Sequence, residues 1–271
     1  EKALQTAKAM LKASACLRGM PDKQSFLVEV ALVPMAMGGM EEAINRAEFS
    51  SDQLEQMKAS IEEVRPGSLG KLLLPSCIRS IAFLDLFTGP ENILGLAPEL
   101  VFARELLGNG NLATGIVCRS CLTEFDCRGD SAGEREAALD LESLRVVPGF
   151  WPNSYEARFG REVMARFDLA LASVAIEQYR LAYGHLPERL DDVVPEFLGE
   201  VPQDQFARRP LGYVVRENGE YVVYSVGRNK VDDVGVEAED NSEGDITFTV
   251  VPSAMRAQLR EIVPVEEGEG G

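Results

Sequence analysis

The sequence predicts an α+β protein with a predominantly helical amino-terminal part, then a long helix packed on a small antiparallel β-sheet. Three observations carry this. Apolar residues recur at helical spacing through most of residues 1–107, a further helical stretch runs from Arg161 to Tyr183, and after Gly184 the apolar period changes from about 3.6 residues to about 2.

Within residues 1–107, Ala3, Ala7, Met10, Leu11 and Leu17 sit at helical spacing, and Val28 to Leu32 and Met40 to Ala47 continue the pattern past a kink expected at Pro34. Ser50 and Gln53 form the ends of a capping box that opens a helix through Leu54, Met57 and Ile61, and Pro66-Gly67 should close it. Another helical stretch is expected from Ser76 to Phe87. Residues 108–160 read as a connecting region, with a turn at Asn109-Gly110-Asn111, a cysteine group and a charged helix from Gly133 to Val146. The helix from Arg161 to Tyr183 carries Val163, Phe167, Leu171, Val174 and Leu181 on one side and Leu169, Ile176, Tyr179 and Tyr183 on another, so it is expected to be packed from two directions. Gly184 can take the left-handed conformation that ends it, and Pro187 prevents its resumption. Pro195 should end a short helix begun by Arg189, and Pro202 with Asp204 should turn the chain into a hairpin. Gly212 to Arg216 and Tyr221 to Ser225 alternate as strands about Asn218-Gly219, a pair that readily supplies positive φ, and Asp245 to Val251 supplies a third strand. These elements give three parts: a helical domain at 1–107, the connecting region at 108–160, and the helix-plus-sheet part at 161–251. The acidic residues 252–271 are expected to be a mobile tail.

Composition narrows the partners. A 45% apolar content over 271 residues can build a sizeable core, and a formal charge of -17 repels phosphate backbones and anionic lipid surfaces, so nucleic acid is excluded as a partner. The longest apolar stretch, Phe26 to Met40, is interrupted by Glu29 and Pro34 and falls short of the roughly 18 residues that a membrane span needs. Membrane contact is therefore expected only through an anchor upstream of Glu1. Five cysteines, Cys16, Cys77, Cys118, Cys121 and Cys127, leave the redox compartment open. The group Cys118, Cys121 and Cys127 is compatible with a zinc ion, with a disulfide, or with buried or free thiols. His185, the one histidine, has no Gly-x-Ser-x-Gly elbow to serve, and no phosphate loop, dinucleotide fingerprint or paired acid-base set is present. Enzymatic activity is not expected.

The succession Gln178-Tyr179-Arg180-Leu181-Ala182-Tyr183-Gly184-His185-Leu186-Pro187, Leu190-Asp191-Asp192-Val193-Val194-Pro195, Val201-Pro202-Gln203-Asp204 and Tyr224-Ser225-Val226-Gly227 resembles the major pseudopilin of type II secretion. The resemblance covers residues 161 to 250. It implies a non-catalytic protein of the bacterial cell envelope, on the periplasmic side, with a structural, assembly or protein-interaction role among the protein partners of an envelope or secretion assembly. In that family the loop after Tyr-Ser-x-Gly wraps a calcium ion and closes at an Asp-Ile pair. By position, the resemblance implies a calcium site from the carbonyl of Val226 and the side chains of Asn229, Asp232, Asp233, Asp240 and Asp245. Calcium takes roughly six to eight oxygen ligands, which such a loop can offer. Three departures leave open the other reading, an acidic loop held by hydrogen bonds and turns alone. Asn229 stands where the family has aspartate, Lys230 adds a positive charge, and the loop is longer. In the family a membrane helix also runs directly into the long helix, whereas here residues 1–160 precede it, so ordinary filament packing is not implied. The amino-terminal half resembles the helical part of bacterial envelope proteins carrying the same pseudopilin-like end. A second functional reading makes the helical half a binding module for a peptide or apolar ligand, capped by the sheet.

Overall fold

The computed structural model describes residues 2–18, 23–67, 72, 154–237 and 244–261. Among them are five α-helices: α1 (Lys2–Arg18), α2 (Lys23–Arg46), α3 (Ser51–Val64), α4 (Ser154–Tyr183) and α5 (Ser253–Glu261). A three-stranded antiparallel sheet is built from β1 (Gly212–Val215), β2 (Tyr221–Ser225) and β3 (Ile246–Val250), in the order β1-β2-β3. The protein is α+β, with helices first and a long helix leading into the sheet. The helix expected at 76–87, the connecting region up to residue 153, and Cys77, Cys118, Cys121 and Cys127 lie outside the described residues, while Cys16 is an exposed free thiol.

By internal contacts the chain divides into two units, one made of Glu1–Ala13, Ala31–Arg65 and Glu162–Gly271, the other of Ser14–Val30 and Pro66–Arg161. The first unit thus combines segments from both ends of the sequence. Helices expected to form a separate amino-terminal domain contribute in part to the unit that holds the sheet.

In the first unit, α2 buries Val33, Ala36, Met37, Met40, Ala43 and Ile44, a stripe of helical spacing. Pro34 lies inside the helix without ending it; a proline there forgoes one backbone bond, and the stripe around it keeps its register. The capping box forms as the sequence predicts: Gln53 N–H donates to Ser50 Oγ at 3.3 Å and Ser50 N–H to Gln53 Oε1 at 2.9 Å. From that start α3 buries Leu54, Met57, Ile61 and Val64 and ends at the C-cap Arg65, before Pro66.

Helix α4 begins ahead of the expected Arg161 and is buried on all sides through its middle, with Val163, Phe167, Leu169, Val174 and Ile176 nearly inaccessible. Partners on opposite sides explain this. Gln178 donates to Glu55 of α3, and Arg65, just past α3, donates to Asp168. On the sheet side, Tyr221 of β2 donates to Glu177. Toward its end the helix emerges, leaving Leu181 and Tyr183 exposed, and Gly184 terminates it with φ +78.

A short 3-10 helix (Leu190–Val193) follows, and then the hairpin. All five residues of the central strand β2 are buried. Tyr224 pairs with Gly212 across the β1-β2 ladder, and its ring lies so close that a Cβ on Gly212 would sit 2.2 Å from it. The hairpin turn differs from the expected pair of positive φ angles. Only Gly219 is left-handed (φ +81), and the bonds Arg216 N–H to Glu220 O and Gly219 N–H to Arg216 O make a three-residue turn closed by a glycine bulge. The expectation of a mobile tail from 252 gives way as far as Glu261, and residues 262–271 lie outside the described residues. Residues Ser253–Glu261 form α5, docked by Arg256, which is 1% exposed.

Candidate functional site

The loop between β2 and β3 carries the residues that sequence singled out, and Asp204 sets its start. Buried at 2% exposure, Asp204 accepts Phe206 N–H and the Ser225 hydroxyl at Oδ1 and Val226 N–H at Oδ2. The Pro202–Asp204 turn is thereby fastened to the end of β2, and Val226 is buried against Ala165 and Phe206. At Gly227, with φ +64, an added Cβ would stand 2.5 Å from the carbonyl oxygen of Gly244. The two limbs of the loop therefore touch at this point, and only glycine fits.

Asp245 closes the loop. Its carboxylate accepts Gly235 N–H at 2.7 Å and Asp233 N–H at 3.4 Å, and its own N–H donates to Val236 O. Burial lifts the Asp245 carboxyl above its usual range; the two backbone donors pull it down, and the charges of Asp233 and Asp232 push it up again. Asn229 donates from Nδ2 to Asp233 Oδ2 at 3.1 Å and accepts Val231 N–H. Asn229, Asp233 and Asp245 thus form one hydrogen-bonded chain. Asp232 turns elsewhere, accepting Arg209 at 2.7 Å and Val234 N–H at 3.1 Å, and the Arg209 guanidinium holds its carboxyl below the usual range. Asp240 lies outside the described residues.

The donor set therefore fits calcium only in part. Asp233 and Asp245 repel each other and Asn229 adds an amide oxygen, but Asp232 is neutralised by an arginine. Among the described residues no group of three acidic, histidine or cysteine side chains is placed to hold a metal. Two non-glycine residues of the loop, Lys230 (φ 58) and Val234 (φ 57), are left-handed, a costly conformation for a β-branched side chain.

A second polar constellation escaped sequence reasoning. Glu177, 2% exposed on α4, receives both Nη atoms of Arg256 at 2.9 Å, Nε and Nη2 of Arg180, and the Tyr221 hydroxyl at 3.2 Å. Burial alone would raise its pKa, but the hydrogen bonds from Arg256 and Arg180 outweigh it and hold the carboxyl below its usual range. The same burial pushes the Tyr221 phenol well up. These groups line an open pocket of about 260 Å³ together with His185 and Ser253. Arg180 also reaches Glu48 and the Ser253 hydroxyl, and Arg256 Nε donates to Val251 O. With its charges paired in this way, the cluster ties α4, α5 and the sheet together instead of presenting free charge to a ligand. The available signal was an acidic residue, Glu177, inside a helix apolar on both sides, where a charge must find a partner.

Asp168 follows the same rule, accepting Arg65 at Oδ1 and Gln205 at Oδ2. Among the described residues no helix is long and apolar enough to cross a membrane. No protein-family profile, curated protein or solved structure matches this chain.

Proposed function

We propose that this chain is a non-catalytic protein of the bacterial cell envelope, acting on the periplasmic side in assembly or protein–protein contact, with its helix-plus-sheet part working as the soluble half of a pseudopilin does. The observation that carries the reading is the closure of the β2–β3 loop on Asp245, the residue just before Ile246, through the backbone of Asp233 and Gly235. The resemblance implies a ligand loop that ends at this same Asp-Ile step. Supporting it are the order of elements around the loop and the left-handed Gly184 that ends the long helix. The loop would take calcium through Asp233, Asp245 and Asn229, and the ion would relieve the repulsion between the two carboxylates and stiffen the surface offered to a partner.

The location is tested by protease treatment of intact spheroplasts expressing the full-length protein. Cleavage without lysis is expected, and protection until lysis would refute an envelope role. The ion is tested separately by thermal melts in calcium against chelator. At a free concentration about 100 times the dissociation constant, a bound ion adds about 2.7 kcal/mol. That gain should disappear in Asp233→Asn, whose backbone donor to Asp245 is kept. Equal melting with and without calcium removes the ion and leaves the location standing on its own test.

A further inference from the structure

Two residues one helical turn apart on α2 close the outer edge of the sheet. On its inner side β3 pairs with β2. On its outer side Thr249 donates its N–H to Glu41 Oε1 at 2.9 Å, the Thr249 carbonyl accepts Asn45 Nδ2 at 2.8 Å, and Val251 donates its N–H to Asn45 Oδ1 at 2.8 Å. The amide of Asn45 thus offers one donor and one acceptor, as a peptide group of a neighbouring strand would. Bare strand edges are templates for unwanted pairing, and a helix laid across the edge is one way of covering them.

Glu41 is the unexpected member of this arrangement. Thr249 N–H needs only an acceptor, which an uncharged amide could supply, yet a carboxyl stands there, partly buried. Its charged surroundings are Glu237 from the β2–β3 loop and Glu42 from its own helix, which repel it, and Arg166 from α4, which attracts it. Glu237 is itself held by the Thr247 hydroxyl at 2.7 Å, and Arg166 Nε is buried without a hydrogen-bond partner among the described residues.

We propose that Glu41 and Asn45 form a proton-controlled latch on the β3 edge, closed firmly while the Glu41 carboxyl is neutral and loosened when it ionises. A neutral carboxyl still accepts the Thr249 N–H through its carbonyl oxygen, without a charge to desolvate or to set against Glu237. Burial, the largest influence, outweighs the Thr249 N–H bond and Arg166, which favour the ionised carboxyl, and with Glu237 and Glu42 lifts the Glu41 carboxyl to about 7. A group whose pKa is raised in the closed form stabilises that form fully below its open-state value, and the stabilisation is lost as pH rises through the closed-state value. The window is therefore roughly pH 4.5 to 7, and it is set by Glu41 alone among the latch residues.

Amide exchange measured by NMR tests the latch in the whole protein. With the carboxyl titrating near 7 closed and 4.5 open, the opening constant rises about tenfold between pH 6 and pH 8. Protection factors of the Thr249 and Val251 amides should fall by that factor, while Val223 in the central strand keeps its protection. In Glu41→Gln the outer-edge amides should stay protected across the range. In Glu237→Gln, which removes a repelling charge, the pH dependence should shrink. A flat wild-type profile, a Glu41→Gln profile parallel to wild type, an unchanged dependence in Glu237→Gln, or Val223 changing together with Thr249 each overturns the latch.

Discussion

Replacing Arg256 by methionine measures how much of the fold rests on the buried ion cluster. Methionine retains most of the apolar stem and removes the charge, so packing is disturbed less than by alanine. The substitution deletes both donors from Arg256 to Glu177 and the bond to Val251 O, and leaves Glu177 with Arg180 and Tyr221. Breaking a fully buried pair by removing one partner costs about 3–5 kcal/mol. Because Arg180 remains, the expected loss is at the low end, about 3 kcal/mol, a large share of the roughly 5–15 kcal/mol that stabilises a typical domain. The pH dependence has a definite sign. Glu177 is depressed below 4.5 in the folded protein, so its contribution is present above that value and is lost as pH falls through the folded value. Without Arg256, burial gains on the remaining donors and the carboxyl rises, so protonation repairs the variant before it harms the wild type. The gap between the two should be widest at pH 7 and narrow toward pH 4. Urea denaturation of the wild type, Arg256→Met, Glu177→Gln and the double variant at both pH values provides the assay, with a coupling of about 2 kcal/mol or more expected between the sites. A loss below about 1 kcal/mol at neutral pH, or a gap that stays constant with acid, would show that the cluster is not held by charge.

Two glycine exchanges probe the backbone of the loop. Val234 is left-handed and 58% exposed, so Val234→Gly should relieve strain of about 1–2 kcal/mol against the entropy that glycine adds, for a net gain of about 0.5–1 kcal/mol in chemical denaturation; a loss would mean that the valine makes contacts worth more than its strain. Gly227→Ala should do the reverse, since the new methyl meets the Gly244 carbonyl at 2.5 Å in a left-handed residue, and a loss of at least about 2 kcal/mol with faster proteolysis of the 228–244 segment is expected. Unchanged stability would mean that the two limbs of the loop are not in contact.

Features governed by neighbours in the chain are legible in the amino-acid sequence. The Ser50–Gln53 box, the glycine that ends α4 and the positions of the paired strands β1 and β2 all follow from local hydrogen bonding and φ preference, and each is where the residues place it, although β2 is buried throughout instead of alternating. The turn at Asn218-Gly219 is legible in position but not in type, because one positive φ or two satisfies the same residue pair. Helix α5 is hidden by its composition. Its short sequence has little apolar character, and the residue that anchors it is an arginine, which reads as surface until Glu177 is seen beneath it.

The candidate loop divides in the same way. That Asp245 opens the last strand, and that its neighbourhood is acidic, is plain in the chain. That Asp232 is claimed by Arg209 while Asp233 and Asn229 stay with Asp245 depends on how the loop folds over the sheet. The division of the chain into units is likewise invisible to a reading along the sequence, because α2 and α3 belong with strands some two hundred positions away, as the Asn45 to Thr249 bond, 204 residues apart, records.

By itself, the sequence determined the α+β class, the start of α3 and the end of α4, the antiparallel hairpin and an acidity that disfavours nucleic acid. These are set by dihedral preference, apolar period and net charge, each readable within a few residues. Only the tertiary structure decided which charges are buried and paired, which carboxylates of the loop face one another and which helix covers the edge of the sheet. Those outcomes depend on desolvation and on distances between residues far apart in the chain, and neither quantity exists until the chain has folded.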